Sequence, residues 1–296
     1  MKISILFIFL LSSIKEVYFK LTELKRQELL SKLTKTISLE NINEIKTFEF
    51  STHQSLLEEG ISYDPAQIEQ LLKENDFPLS YNFIEETNAT VNIKDQASCG
   101  CCWSHVATTA LAYRYHAKKV EVDLSPQDGL SCYIKDCDAG NYLIDPQLNL
   151  IKNGTVSEGC LPFSSMDGKT IEPCPISCKD HSKYEKYYAQ SAYMTQDYYS
   201  EDTFYEIVTL IIDELINNGP VVSSIMVYKD FMDLCNNQKQ CHDTVYRYDG
   251  QSKKEGGHAV VIVGYGYLNN QFYWLIQNSW GKNACDKGFV KIELVK

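Results

Sequence analysis

Three short stretches of this 296-residue chain carry side chains that do chemistry together. They are Gln96-Ala97-Ser98-Cys99-Gly100-Cys101-Cys102-Trp103, Gly256-Gly257-His258-Ala259-Val260 and Gln277-Asn278-Ser279-Trp280-Gly281. A cysteine, a histidine and an asparagine far apart in sequence are the parts of a thiol nucleophile, its base and the group that orients the base. A thiol attacks only after losing its proton, and a helix N-terminus or a neighbouring imidazolium lowers its pKa. Cys102 at the start of a helix, beside His258, meets both conditions. His258 then acts as base and later as acid toward a leaving amine, with Asn278 holding the ring. Attack on a carbonyl creates an oxyanion, for which the Cys102 backbone N–H and the Gln96 side-chain amide are candidate donors.

These groups need elements to hold them. Val106, Ala110, Tyr113 and Ala117, with Ala107 and Leu111 beside them, predict a helix starting at Cys102. Ser125 as cap and Pro126 at the first position predict another helix start. The stretch 138–177 is rich in Gly, Pro and Asn and reads as mostly loop. Glu206 to Asn217 is a helix candidate ended by Gly219-Pro220. Val221 to Tyr228, Ala259 to Tyr265 and Gln271 to Gln277 read as strands. A helical, cysteine-rich block therefore precedes a β-rich one. Ahead of both, Leu21, Leu24, Leu29, Leu30 and Leu33 follow helical spacing. A further helix start is marked by Asp64, Pro65 and Gln67 before Ile68, Leu71 and Leu72. All eleven cysteines follow Phe77-Pro78, which places a domain boundary there.

The bulk properties narrow the class. The chain is long enough for one large domain or two lobes. Its net charge of −11 leaves no basic surface for phosphates, so no nucleic acid is expected as a partner. Lys2, the apolar run Ile3–Leu11 and then Ser12-Ser13 have the form of a secretory leader over residues 1–19. The run is too short to span a bilayer, so no membrane association is expected after its removal. Eleven cysteines suit a disulfide-forming compartment, and their odd number leaves at least one thiol unpaired. Asn88 in Asn-Ala-Thr and Asn153 in Asn-Gly-Thr are glycosylation acceptors in that setting.

With the three motifs in this order, the chain resembles the papain family of cysteine proteases. The residues that carry the resemblance are Gln96-x-x-Cys99-Gly100-x-Cys102-Trp103, Gly257-His258-Ala259-Val260 with Gly264-Tyr265-Gly266, and Asn278-Ser279-Trp280-Gly281. The resemblance implies a two-lobed α+β fold, with a helical, disulfide-rich first lobe and a β-rich second lobe. The active site would lie in the cleft between them. It implies a propeptide over 20–77 that covers the cleft and loosens in acid, and a peptidase domain over 78–296. Protein or peptide substrates and the chain's own propeptide are then the partners. No cofactor or metal is implied, and lysosome, vacuole or the extracellular space is the expected location. Trp280 would shield the His258–Asn278 pair, and the Gly140 backbone would bind extended substrate.

Cys160-Leu161-Pro162-Phe163-Ser164 and Cys174-Pro175-Ile176-Ser177-Cys178 are similar to motifs of the cathepsin B and cathepsin C branches. By that similarity Cys99 pairs with Cys137, Cys132 with Cys174 and Cys160 with Cys178. Cys235 and Cys241 flank a short loop and are expected to close a local bridge, leaving Cys101, Cys102 and Cys285 free. Exopeptidase activity in the cathepsin B branch depends on a histidine-bearing loop, and Leu161 to Pro173 contains no histidine. The segment before Pro78 is too short for the cathepsin C exclusion domain. An endopeptidase is expected.

The chain also departs from the family pattern. Cys101 stands at a position usually taken by a small residue; a helix turns about 100° per residue, so Cys101 and Cys102 do not share the cleft face. His105 replaces an aromatic. Asp138-Ala139-Gly140 replaces a Gly-Gly pair, and Ala139 would narrow the neighbouring subsite. Ala284-Cys285 replaces a second Trp-Gly. The chain stops at Lys296, before the last strand of the family's second lobe, which leaves an incomplete sequence or a reduced lobe as two readings. His116, His181 and His242 have no motif around them and are expected at the surface. Three other chemistries compete. One is an inactive papain-fold binding or structural protein; another is a redox site at Cys99-x-x-Cys102. The third is a zinc site from Cys174, Cys178 and His181.

Overall fold

The computed structural model describes residues 5–9, 21–36, 64–90, 92–138, 140–195 and 201–294. Its centre is the helix Cys102–Ala117, which is buried on nearly all sides and packs on the strand Lys254–Leu268. No Pro or Gly interrupts it, and Ala107, Ala110 and Ala112 let neighbouring backbone come close. Cys101, its N-cap, makes no side-chain capping bond. Around it the first lobe is built from the short helix Pro126–Gly129, its π-helical continuation Leu130–Ile134, and the helix Ile144–Lys152. Ser125 caps Pro126–Gly129 by accepting the Asp128 N–H, as its sequence signature predicts. The helix Ile144–Lys152 lies within the stretch expected to be loop. Pro146 falls in its first turn, where the missing N–H costs nothing, so it does not break the helix.

Among the described residues the second lobe is a nine-stranded sheet in the order Thr34–Thr36, Ser191–Thr195, Ile5–Phe9, Val221–Tyr228, Lys254–Leu268, Gln271–Gln277, Phe289–Glu293, Val245–Tyr246, with Tyr81–Asn82 also pairing Lys254–Leu268. All pairs are antiparallel except Val245–Tyr246 with Phe289–Glu293. The three strands expected from sequence form, and Lys254–Leu268 runs well beyond its expected ends. Five residues of the apolar N-terminal run, expected to belong to a leader, here form the strand Ile5–Phe9 between Ser191–Thr195 and Val221–Tyr228. The rest of the 1–19 segment lies outside the described residues. Among the described residues no helix is long and apolar enough to cross a membrane.

Ahead of Pro78, the helices Glu23–Leu33 and Pro65–Glu74 form where expected; Asp64 caps the second by accepting the Ala66 N–H. Both pack on the helix Glu201–Asn217. Leu29, Leu33, Ile68 and Leu72 are buried in the main core. Each such side chain is worth about 1.5–3 kcal/mol when fully buried, so this segment is held by apolar docking rather than by a core of its own. Residues 37–63, between the two helices, lie outside the described residues.

Candidate active site

Sheet register brings two of the three motif residues together. Val261 faces Gln277 across an antiparallel pair. His258, three residues before Val261, and Asn278, one after Gln277, therefore arrive at the same end of the sheet. The His258 Nε2 and Asn278 Oδ1 atoms are 2.8 Å apart, and both residues are buried. Trp280 lies over the pair, its ring centroid 4.9 Å from that of His258. The central helix supplies the third residue: the half-buried Cys102 thiol is in hydrogen-bond contact with His258.

The electrostatics of the pair follow from this contact. Burial disfavours the Cys102 thiolate, but the hydrogen bond and charge of His258 outweigh it, helped by the Ala259 and Trp103 backbone N–H groups. The Cys102 pKa falls below that of an ordinary thiol. Burial likewise disfavours a charged His258, yet bonding to Cys102 and Asn278 raises its pKa above the usual imidazole value. Cys101 behaves in the opposite way. It is fully buried against Leu130 and Trp103, its Sγ lies 3.5 Å from His105 Nδ1, and burial pushes its thiol up to about 12. Burial takes His105 down to about 3, and its ring meets Phe163 edge-on, 4.7 Å between centroids. His105 is thus a packed neutral side chain that contacts Cys101 rather than Cys102.

Gln96 sits beside the helix N-terminus. Its backbone N–H donates to Ser279 O at 2.8 Å, its Oε1 accepts from Ser279 Oγ at 2.6 Å, and its Nε2 donates to Cys99 O at 3.0 Å. One amide hydrogen remains for a ligand. Ser279 is a functional neighbour that sequence reasoning did not single out, although it lies inside the Asn-Ser-Trp motif. Gly100 is required by packing, since a Cβ there would lie 2.5 Å from Cys137 O. Gly140 adopts φ +59° and a Cβ there would meet nothing within 4 Å, so its backbone borders open space. Ala139 lies outside the described residues.

Three disulfides form as the resemblance implies: Cys99–Cys137, Cys132–Cys174 and Cys160–Cys178. The Cys174 and Cys178 thiols are thereby consumed, which removes the zinc reading; Cys99 is likewise bonded to Cys137 rather than to Cys102. The fourth pairing corrects an expectation. Cys235 bonds Cys285, not Cys241, and Cys241 is a free, buried thiol. Cys235 ends one helix while Cys241 sits in the next, and the Cys285 N–H donates to Cys235 O at 2.6 Å, so the long-range partner is the one that is aligned. His116 is also corrected. It is buried, with Nε2 3.0 Å from Thr87 O and Nδ1 2.6 Å from Glu121, because it lies on the inner face of the helix end. His181 and His242 are exposed as expected.

A family profile described as "Papain family cysteine protease" matches residues 77–296. The chain belongs to the papain family. It is 32% identical over 225 residues to cathepsin B-like cysteine proteinase 3 of Caenorhabditis elegans, covering 70% of this chain and 58% of that protein. It is 32% identical over 222 residues to cathepsin B-like CP3 of Giardia intestinalis, covering 73% and 69%. The chain thus spans little more than half the length of the first of these relatives. Procathepsin B S9 from Trypanosoma congolense shares the fold, with a TM-score of 0.59, 23% identity, and coverage of 79% of this chain and 76% of that one.

Proposed function

We propose that this papain-family protein is a cysteine endopeptidase made as a secretory zymogen. The observation that carries the reading is the continuous contact from Cys102 through His258 to Asn278. The Cys102 thiolate attacks the scissile carbonyl carbon. The oxyanion accepts from the Cys102 N–H and the free hydrogen of the Gln96 amide, a donor worth about 100- to 1,000-fold in kcat. The His258 imidazolium gives its proton to the leaving amine and leaves a thioester on Cys102. His258 then takes a proton from water, which hydrolyses the thioester. Trp280 keeps water from the His258–Asn278 hydrogen bond, and the Gly140 backbone binds the extended substrate chain.

The segment 20–77 is the inhibitory propeptide. Its described helices dock on Glu201–Asn217 through apolar side chains and through Arg26, which donates to Asp213 at 2.8 Å and Glu214 at 2.6 Å. Secretory entry rests on Lys2 and the apolar run that follows; lysosome, vacuole or the extracellular space is the destination. Asn88 and Asn153 are both exposed and both close helices, which suits them as glycan acceptors. The test is digestion of an unfolded protein by the full chain and by the processed chain. Internal cleavage by the processed chain, lost in Cys102→Ser, supports the reading; equal activity of the unprocessed chain contradicts the zymogen role. Sequencing the N-terminus of the exported protein separates the leader role of residues 1–19 from a retained strand, since a product beginning at Met1 excludes a cleaved leader.

A further inference from the structure

Three sulfur atoms lie together just behind Asn278. The Sγ atoms of Cys235, Cys241 and Cys285 are all within 4.8 Å of one another, and all three residues are buried. Two are joined as the Cys235–Cys285 disulfide and the third is a free thiol. The disulfide touches the catalytic side of the molecule: Asn278 Nδ2 donates to Cys285 Sγ at 3.6 Å, while Asn278 Oδ1 faces His258. Cys285 is held at φ +51°, a left-handed conformation that disfavours a side-chain-bearing residue. The bond to Cys235 and the Cys285 N–H to Cys235 O contact hold it there.

We propose that Cys285 is a positioning residue for Asn278, and that Cys241 is a resident thiol able to displace it, giving the protein two disulfide isomers with different rates of catalysis. This rests on Asn278 orienting His258 as proposed above. The Asn278 amide has two ends. His258 and the Ser279 backbone N–H, each at 2.8 Å, share the oxygen end, and the Cys285 sulfur accepts from the nitrogen end; together they fix the rotation of the amide and with it the imidazole.

The exchange balances without oxidant or reductant. Cys241 loses its proton to solvent, and its thiolate attacks Cys235 Sγ. The Cys235–Cys241 bond forms as the Cys235–Cys285 bond breaks, and Cys285 leaves as a thiolate that takes up a proton. The product is a bridge across the short 236–240 loop. Cys285 is then no longer tied to the helix that ends at Cys235, so its strained backbone relaxes and its sulfur leaves Asn278. Exchange is slow at neutral pH, because burial pushes the Cys241 thiol up to about 11; a hydrogen bond from the Asp286 backbone N–H and the charge of Lys291 oppose this, while the Asp286 carboxylate adds to it. The rate is therefore expected to rise about tenfold per pH unit below that value.

The isomers are mapped by acid quenching, alkylation and non-reducing peptide mass spectrometry. The full chain is used in a Cys102→Ser background, so that the reactive thiol is not the attacker. Incubation at increasing pH should convert Cys235–Cys285 to Cys235–Cys241, and a further Cys241→Ser substitution should prevent it. Kinetics on the processed enzyme then test the positioning role. Cys285→Gly tolerates the left-handed backbone and mimics the exchanged isomer. It should lower kcat about fivefold, the size of one ordinary hydrogen bond, with KM nearly unchanged. The alkaline limb of its pH profile should move down as His258 loses support. Cys285→Ser, whose hydroxyl accepts from Asn278, should restore both. A purely structural role would lower the active fraction without moving the pH profile. Wild-type kcat and pH profile in Cys285→Gly, or failure of Cys235–Cys241 to appear in the folded chain, overturns the proposal. If Cys102 fails to take an active-site label in the wild type, the catalytic reading itself has failed. Labelled Cys102 with unchanged rates removes the positioning role alone.

Discussion

At its N-terminal end the helix Cys102–Ala117 presents a thiol to His258; at its C-terminal end it buries Arg114 against Glu214 at 2.8 Å. Each end places a group whose charged form the helix dipole favours, a thiol at the start, whose pKa is lowered, and a guanidinium in the last turn. The difference lies in what can move. Cys102 and His258 can pass a proton between them, and Cys102 is only half-buried. Arg114 is fully buried and does not deprotonate. Its guanidinium also donates to Gly219 O and Pro220 O at 3.2–3.3 Å, and Glu214 accepts from Arg26 and Asn218 as well. One end is set up for proton transfer and the other for fixity, and the fixed end anchors the helix that aims the thiol.

That contrast can be broken from either side. The largest effect is at the reactive end. Cys102→Ser should reduce peptide hydrolysis by at least about 1,000-fold while leaving the thermal midpoint nearly unchanged, read by peptidase assay and calorimetry. Next comes Arg114→Met, which leaves Glu214 short of a buried counter-charge. It should cost about 3–5 kcal/mol in denaturant unfolding, with activity falling only as the folded fraction falls. Asn278→Ala should lower kcat about 10- to 100-fold. Its sign with pH is fixed: the Asn278 bond raises the His258 pKa, so its loss moves the alkaline limb to lower pH. The smallest effect is expected for Arg26→Gln. It should destabilise the unprocessed chain by about 1–3 kcal/mol and leave the processed enzyme unchanged, because Arg26 lies in the segment proposed to be removed.

The reactive end was legible in sequence and the fixed end was not, for a physical reason. Cys102, His258 and Asn278 sit in short motifs whose neighbours, Trp103, Gly257 and Trp280, carry the family resemblance with them. Arg114 and Glu214 carry no such local pattern, because their meaning comes from a contact 100 residues apart. The same limit explains the cysteines. Cys235 and Cys241 are close in sequence, but helix ends rather than loop length decide which sulfur meets Cys285. Helical spacing in Leu29, Leu33, Ile68 and Leu72 marked an apolar face, but nothing local named Glu201–Asn217 as the surface it would cover. His116 lacked a motif and proved buried, since its setting depends on Thr87 and Glu121 from other segments. The apolar run near the N-terminus suits a leader and a strand equally, and pattern alone does not choose between them.

The most direct test of the central claim is the reaction of the processed protein with an epoxide-type thiol-protease inhibitor, followed across pH, with the adduct mapped by peptide mass spectrometry. The account predicts modification of Cys102. The rate should rise as pH climbs through a Cys102 pKa below the ordinary thiol value and fall as it passes a His258 pKa above the ordinary imidazole value. An adduct on Cys101 instead, or an unreactive Cys102 in a folded protein, would contradict it.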